Sequence, residues 1–280
     1  MNLNQRIIFL PLAIAICAQS YSQQKNLYKK IDTVRLYLEV YRPPKSGINP
    51  KSTGIIFFFG GGWINGDRSQ FLHQAEYFSS RGAVCFLADY RTQMNQATPF
   101  ESLKDAKSAI RFIRKQGSEF GIDTGRIVAF GGSAGGQLAA ATALIDSFNE
   151  TTDDLSVNCR PNVLVLFNPV VDNGPGGYGY ERIGEQYKNF SPLHNIRKGA
   201  PPTIIFLGTK DKLVPVATAE YYKTVMERIG SRCDLKLYEG QAHGFFNYSN
   251  ISNYKSTLTE ADLFLQSLSY LKAEPVVEIK

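Results

Sequence analysis

Short, continuous apolar runs recur along this chain, separated by stretches whose apolar positions repeat at helical spacing. Residues 55–59, 83–88, 127–130, 163–167 and 203–207 are such runs, the pattern of strands covered on both faces. Residues 34–41 alternate apolar and polar and predict an edge strand, and residues 235–238 predict one more. Residues 102–115, 134–144, 217–229 and 258–271 predict helices. Strands alternating with helices imply an α/β fold: a mostly parallel central sheet with helices on both faces. Residues 173–180, rich in Gly and Tyr, predict a surface loop.

The N-terminus breaks this pattern. Arg6 precedes an apolar stretch over residues 7–16, too short to span a bilayer, and Ser20-Tyr21-Ser22 fits a small-x-small cleavage rule. Residues 1–22 are therefore expected to be a signal peptide, and residues 23–280 a single catalytic domain. The expected location is secreted or periplasmic. Cys17 offers a lipoprotein alternative, but Ile16 before it is a poor lipobox residue.

Composition narrows the function classes. The chain has 280 residues, 43% hydrophobic and 20% charged, enough for one α/β domain and short for two. Its net charge of +6 is mild and dispersed, which argues against a nucleic-acid partner. After cleavage Cys85, Cys159 and Cys233 would remain, too few for a closed disulfide framework. Whether Cys159 and Cys233 pair is open. No Cys/His spacing of zinc type occurs, so neither a metal nor a cofactor is expected. Histidines stand only at positions 73, 194 and 243, which restricts the choice of a base.

In parallel sheets, sites form where loops leave the carboxyl ends of strands. Three such ends carry chemistry. After 127–130 comes Gly131-Gly132-Ser133-Ala134-Gly135, a G-x-S-x-G turn that lifts a serine Oγ above the sheet at a helix N-terminus. The same pattern occurs in plain turns and phosphate loops, so it needs partners. After 55–59 comes Gly60-Gly61-Gly62-Trp63-Ile64-Asn65-Gly66. Its spacing matches neither a dinucleotide fingerprint nor a P-loop. A glycine run lets backbone N–H groups converge on a developing oxyanion, with Gly61, Gly62 and Ala134 as the donors and Trp63 as a further one. Asp211 follows 203–207, where a helix N-cap or Asx-turn is the bland alternative. His243 lies in a glycine- and aromatic-flanked loop after 235–238, a poor place for a core histidine. The chain order Ser133, Asp211, His243 is Ser…acid…His, and each member follows its own strand.

These motifs resemble the α/β-hydrolase esterase/lipase superfamily, in particular hormone-sensitive-lipase-like and acetyl- and feruloyl-esterase-like enzymes. Ala88-Asp89-Tyr90-Arg91, Phe120-Gly121-Ile122-Asp123, Ser191-Pro192 and Pro201-Pro202-Thr203 extend the resemblance over nearly the whole mature chain. It implies an α/β-hydrolase fold, with Asp89, Arg91 and Asp123 structural. The group usually has His-Gly-Gly-Gly, and Phe59 stands here in place of the histidine that positions the glycine loop. Relatives of the hormone-sensitive-lipase type carry an N-terminal helical cap, for which residues 23–34 leave no room, so no large cap domain is expected.

The expected function is an exported serine carboxylic-ester hydrolase removing short acyl groups, acetyl first. Its substrate would be a small-molecule or polysaccharide ester, with no membrane partner after cleavage. Trp63 and Tyr178 are the expected substrate contacts. A feruloyl or aryl esterase, an exopeptidase, a lid-gated lipase, and a binding protein on an inactive scaffold are the competing readings.

Overall fold

The computed structural model describes residues 23–43 and 51–273. The expected signal peptide, residues 1–22 with Cys17, lies outside the described residues. Among the described residues, no helix is long and apolar enough to cross a membrane.

Eight strands form one sheet: β1 (Gln23–Ile31), β2 (Val34–Tyr41), β3 (Ser52–Phe58), β4 (Val84–Ala88), β5 (Ile122–Gly132), β6 (Val163–Phe167), β7 (Thr203–Gly208) and β8 (Cys233–Tyr238). Their order across the sheet is β1-β2-β4-β3-β5-β6-β7-β8. The β1–β2 and β2–β4 pairs are antiparallel and all others parallel. The continuous apolar runs are explained by burial on both faces. Ile55 and Phe57 of β3 enter one core with Val128 and Phe130, while Ile56 and Phe58 enter the other with Ile127 and Ala129.

The helices are α1 (Leu72–Ser80), α2 (Pro99–Lys115), α3 (Gly117–Phe120), α4 (Ala134–Leu144), α5 (Tyr180–Ile183), α6 (Tyr187–Phe190), α7 (Val216–Arg228) and α8 (Ile251–Ser267). Helices α2, α4 and α7 cover one face, through residues such as Leu103, Leu138 and Tyr222. Helices α1 and α8 cover the other, through Phe78, Tyr254 and Phe264. Pro99 opens α2 at its first turn, and Thr98 and Glu101 close it as a capping box.

Two expectations change. Residues 34–41 are not the edge: β1 lies outside them, joined by a tight turn with Asp32 at φ 49°. The polar run Gln23-Gln24-Lys25-Asn26 hides this strand from a hydrophobicity pattern, yet Lys29 within it is buried. Helix α8 begins at Ile251, not at residue 258: Tyr254 in its opening turn is buried, while Ser252, Asn253 and Lys255 around it face solvent at least in part and mask the apolar repeat. Residues 173–179 form a loop as expected, and the helical part of the segment after β6 begins only at Tyr180. It carries α5 and α6, whose residues pack over Trp63.

The strand order reverses between β3 and β5, since the chain leaves β3 for β4 on one side and β6 to β8 build outward on the other. The crevice beyond the carboxyl ends of β3 and β5 is thus the place where such a sheet opens to a ligand. The glycine run and Ser133 are the residues that follow those two strands.

Candidate active site

Strand β5 runs straight into α4 through a turn at Ser133, whose backbone sits at φ 53°, ψ −118°. This sparsely populated conformation costs roughly 1–3 kcal/mol and persists only where its surroundings impose it. Here they do. The Ser133 N–H donates to the Phe167 carbonyl (2.9 Å), and the Ser133 carbonyl accepts from Gln137 N (3.0 Å) and Val170 N (3.2 Å).

The small residues around the serine are dictated by contact. A Cβ at Gly135 would lie 2.1 Å from the Phe58 carbonyl oxygen and 2.2 Å from that of Phe59, at the end of β3. A G135A variant must therefore push β3 away from α4. Its expected cost is about 3 kcal/mol, and a thermal melt unchanged from wild type would rule out this close approach.

Ser133, His243 and Asp211 come together as the sequence order implies. The Ser133 Oγ lies 2.8 Å from His243 Nε2, and His243 Nδ1 lies 2.7 Å from Asp211 Oδ2. The Asp211 side chain is fully buried, whereas that of His243 keeps 22% exposure. Burial alone would raise the Asp211 carboxyl. The hydrogen bonds from His243 and from the Val214 and Leu213 N–H groups outweigh it and hold the group below the usual carboxylate range. A carboxylate so held fixes the imidazole with its proton on Nδ1, leaving Nε2 as an acceptor toward the serine.

The glycine run forms a tight turn beside the serine. Gly61 (φ 127°) and Gly62 (φ 65°) both take backbone conformations that favour glycine, and Trp63 follows at φ 60°. The Gly61 carbonyl accepts from Ile64 N (3.0 Å) and Asn65 N (3.2 Å). Among the described residues, the N–H groups of Gly61, Gly62 and Ala134 donate to no protein acceptor. They are free to serve a substrate oxygen. Without the family histidine, Phe59 stacks on Tyr90 at 4.0 Å, and the Tyr90 hydroxyl donates to the Phe59 carbonyl (2.7 Å).

Trp63 and Tyr178 take different places. Trp63 is buried, packed on Phe190 and under the Arg182 guanidinium. Tyr178 reaches the glycine turn, where a Cβ on Gly62 would lie 2.4 Å from its hydroxyl. Arg182 also lies over the Tyr178 ring and donates to the Gly62 carbonyl. A cavity of about 240 Å³ is lined by Val170, Tyr178, Leu213 and Val214 among others, so it adjoins residues bonded to Ser133 and Asp211 and not the catalytic side chains themselves.

The other histidines stand apart from Ser133. His73 stacks on Tyr248 at 3.5 Å with Nδ1 3.3 Å from Glu76, and His194 lies 3.7 Å from Asp172. Cys85, Cys159 and Cys233 are free and buried, so Cys159 and Cys233 do not pair. Asp89 pairs with Arg68, Arg91 with Asp105, and Asp123 caps a turn by accepting from Gly125 N, which are framework contacts. Among the described residues, no group of His, Cys, Asp and Glu could hold a metal ion.

Three residues near the site escape a reading of the sequence, Gln70, Asn168 and Arg182, while Tyr90 appears there only within residues 88–91 and with no role. Asn168 had a visible signal, since it is the polar residue directly after the apolar run 163–167. Gln70 reaches the glycine turn from ten residues further on, and Arg182 from 120 positions away.

Known proteins share this fold. The family model BD-FAE matches residues 38–175, and that of the dienelactone hydrolase family matches residues 167–274. The solved structure of Thermogutta terrifontis esterase 2 superposes with a TM-score of 0.85 at 41% identity, covering 90% of this chain and 97% of that one. That esterase has also been solved with propionate bound and with butyrate bound. A probable isoprenylcysteine alpha-carbonyl methylesterase of Arabidopsis thaliana is 28% identical over 76% of this chain and 49% of its own. An acetylxylan esterase of Xylanibacter ruminicola is 24% identical over 84% of this chain and 48% of its own. The chain thus spans about half the length of the curated relatives it matches. Sheet, serine turn and long-range similarity agree: the chain belongs to the esterase family of the α/β-hydrolase fold.

Proposed function

We propose that this protein is an exported serine carboxylic-ester hydrolase that removes short acyl groups, acetyl foremost, from small-molecule or carbohydrate esters. The observation that carries the reaction class is the hydrogen-bonded line Ser133–His243–Asp211 beside three unengaged backbone N–H groups. Ser133 Oγ attacks the ester carbonyl while His243 Nε2 takes its proton. Asp211 orients the imidazole and stabilises its charged form. The carbonyl oxygen becomes an oxyanion between the N–H groups of Gly61, Gly62 and Ala134, each such donor being worth about 10²- to 10³-fold in rate. The imidazolium protonates the departing alkoxide, giving an acyl-enzyme and a free alcohol. Water, deprotonated by His243, then releases the acid and restores the serine.

Two features support the short acyl group. The cavity shared by Tyr178 and the Leu213–Val214 stretch that bonds Asp211, about 240 Å³, is below the roughly 300–1,000 Å³ of common ligand pockets. The similar Thermogutta esterase has been solved with propionate and with butyrate. The carbohydrate bearer rests on the likeness to an acetylxylan esterase and on the expected export signal. Tyr178, at the glycine turn and on the cavity wall, is the residue best placed to meet the substrate.

A series of p-nitrophenyl esters tests the reading. Acetate to butyrate should be turned over fastest, with kcat/KM for the octanoate lower by about tenfold or more. Rates rising with chain length would favour a lipase instead, and no hydrolysis of any ester would leave a binding protein. Acetate release from acetylated xylan, compared with ferulate release from feruloylated xylan, tests the bearer and the acyl group.

A further inference from the structure

The family histidine that steadies the glycine turn is absent, yet the turn is not left loose. Gln70, from the short helical turn Arg68–Phe71, accepts from the Gly60 N–H through its Oε1 at 2.7 Å. Because a backbone N–H can only donate, this contact fixes which end of the amide faces Gly60. The Gln70 Nε2 must then point away, and it donates to Asn247 Oδ1 at 3.0 Å. Asn247 is fixed in turn, with its Nδ2 donating to the Gly244 carbonyl at 2.7 Å.

A second backbone N–H sets the direction from the other end. The Gly244 N–H donates to Asn168 Oδ1 at 3.0 Å, which leaves Asn168 Nδ2 facing His243 Nε2 at 3.3 Å. An amide NH₂ there requires Nε2 to be an acceptor. That is the tautomer whose Nδ1 proton faces Asp211, the one able to receive the Ser133 proton. Every donor in the line from Gly60 to His243 therefore points in a direction its neighbours dictate.

We propose that Gln70 is a positioning residue. Resting on the ester-hydrolase reading, it ties the oxyanion turn to the loop that carries the base, through Asn247 and Gly244, so that the two are held at one fixed separation. Its own segment is well anchored. Asp67 Oδ1 accepts from Ser69 N (2.8 Å), and Arg68 pairs with Glu39 (2.9 Å) and Asp89. Gly60 itself approaches the serine closely enough that a Cβ on it would lie 3.3 Å from Ser133 Cβ. A shift of the Gln70 amide thus moves the N–H donors relative to the nucleophile, and a displacement near 1 Å costs about 100-fold in rate.

The test compares Q70L, Q70E and N247A with wild type on p-nitrophenyl acetate, together with inhibition by trifluoroacetophenone. That ketone forms a hemiketal whose oxyanion occupies the same donors. Q70L should lose about 10- to 100-fold in kcat with KM little changed. Its affinity for trifluoroacetophenone should fall in the same proportion, a loss that mere destabilisation would not produce. Q70E keeps an acceptor for Gly60 but no donor for Asn247, so it should lose less than Q70L and match N247A. The double variant Q70E/N247A should be no worse than either single, because both sever the same link.

Wild-type activity with Q70L and N247A both within twofold of it would overturn the positioning role. So would losses in kcat with unchanged ketone affinity. If Q70L does not fold, N247A and Q70E decide by the same criteria. A wild type that hydrolyses no ester while still folded would instead overturn the ester-hydrolase reading.

Discussion

Replacing Ser133 with alanine is expected to lower kcat/KM for p-nitrophenyl acetate by about 10⁴- to 10⁶-fold while leaving the fold intact. The Ser133 Oγ is the atom held 2.8 Å from His243 Nε2, and alanine deletes it without touching the backbone contacts to Phe167, Gln137 and Val170. Some rate above that of water should survive, since the N–H groups of Gly61, Gly62 and Ala134 still stabilise an oxyanion. H243A should fall comparably, because removing either member of an acting pair disables the pair. H73A and H194A should stay within about twofold of wild type, as His73 is occupied with Tyr248 and Glu76, and His194 with Asp172 and Tyr187. Initial rates with matched circular dichroism spectra decide the matter. Full activity in S133A, or its loss in H73A but not in H243A, would sink the assignment. An S133G variant adds a stability readout. Glycine meets no steric penalty at φ 53°, so S133G should gain about 1–3 kcal/mol over S133A in thermal or urea unfolding.

The parts of this site that could be read from the chain are those written locally. The serine turn is visible because contact forces small residues at Gly131 and Gly135, and because the strand before it and the helix after it are both buried and therefore apolar. Asp211 and His243 could be found because each follows a strand, and in a parallel sheet strand ends share one side. The core strands were legible for the same reason that makes them core: Ile55 and Ile56 face opposite layers, so neither position admits a polar residue.

What stayed hidden depends on partners far away in sequence. β1 reads as polar, and its Lys29 can be buried because Asp105 and Glu150 neutralise it, which the local pattern cannot know. Gln70 is an ordinary polar residue until folding sets it between Gly60 and Asn247, the latter 177 positions away. Trp63 looks like an exposed aromatic beside a glycine loop, and it is the segment after β6, through Tyr178, Arg182 and Phe190, that packs over it. The loss of the histidine before the glycine run is likewise answered at a distance, by Gln70 and Tyr90 rather than by residue 59.

The largest stability effect is expected at Asp105 rather than in the apolar core. Its carboxylate sits on α2, fully buried, and accepts from Arg91 N (2.9 Å), Arg91 Nε (2.8 Å) and Arg91 Nη2 (2.8 Å). Lys29 Nζ of β1 approaches the same carboxylate at 2.7 Å. One buried anion thus joins the outermost strand, the segment after β4, and the helix that covers them. D105A leaves two nearly buried cations facing each other with only Glu150 between them, 3.0 Å from Lys29 and 3.4 Å from Arg91. Uncompensated buried charge costs about 3–5 kcal/mol. In a chain of this size that corresponds to a fall of roughly 6–20 °C in Tm. The cost belongs to the stranded cations and not to the lost carboxylate as such. A triple variant D105A/K29M/R91M, which removes the anion with both cations and leaves only the part-exposed Glu150, should therefore melt higher than D105A alone. A D105A melt within about 2 °C of wild type would show that water already reaches this cluster. A triple variant melting below D105A would show instead that the packing of the Lys29 and Arg91 stems, rather than their charge, is what holds β1 to the sheet.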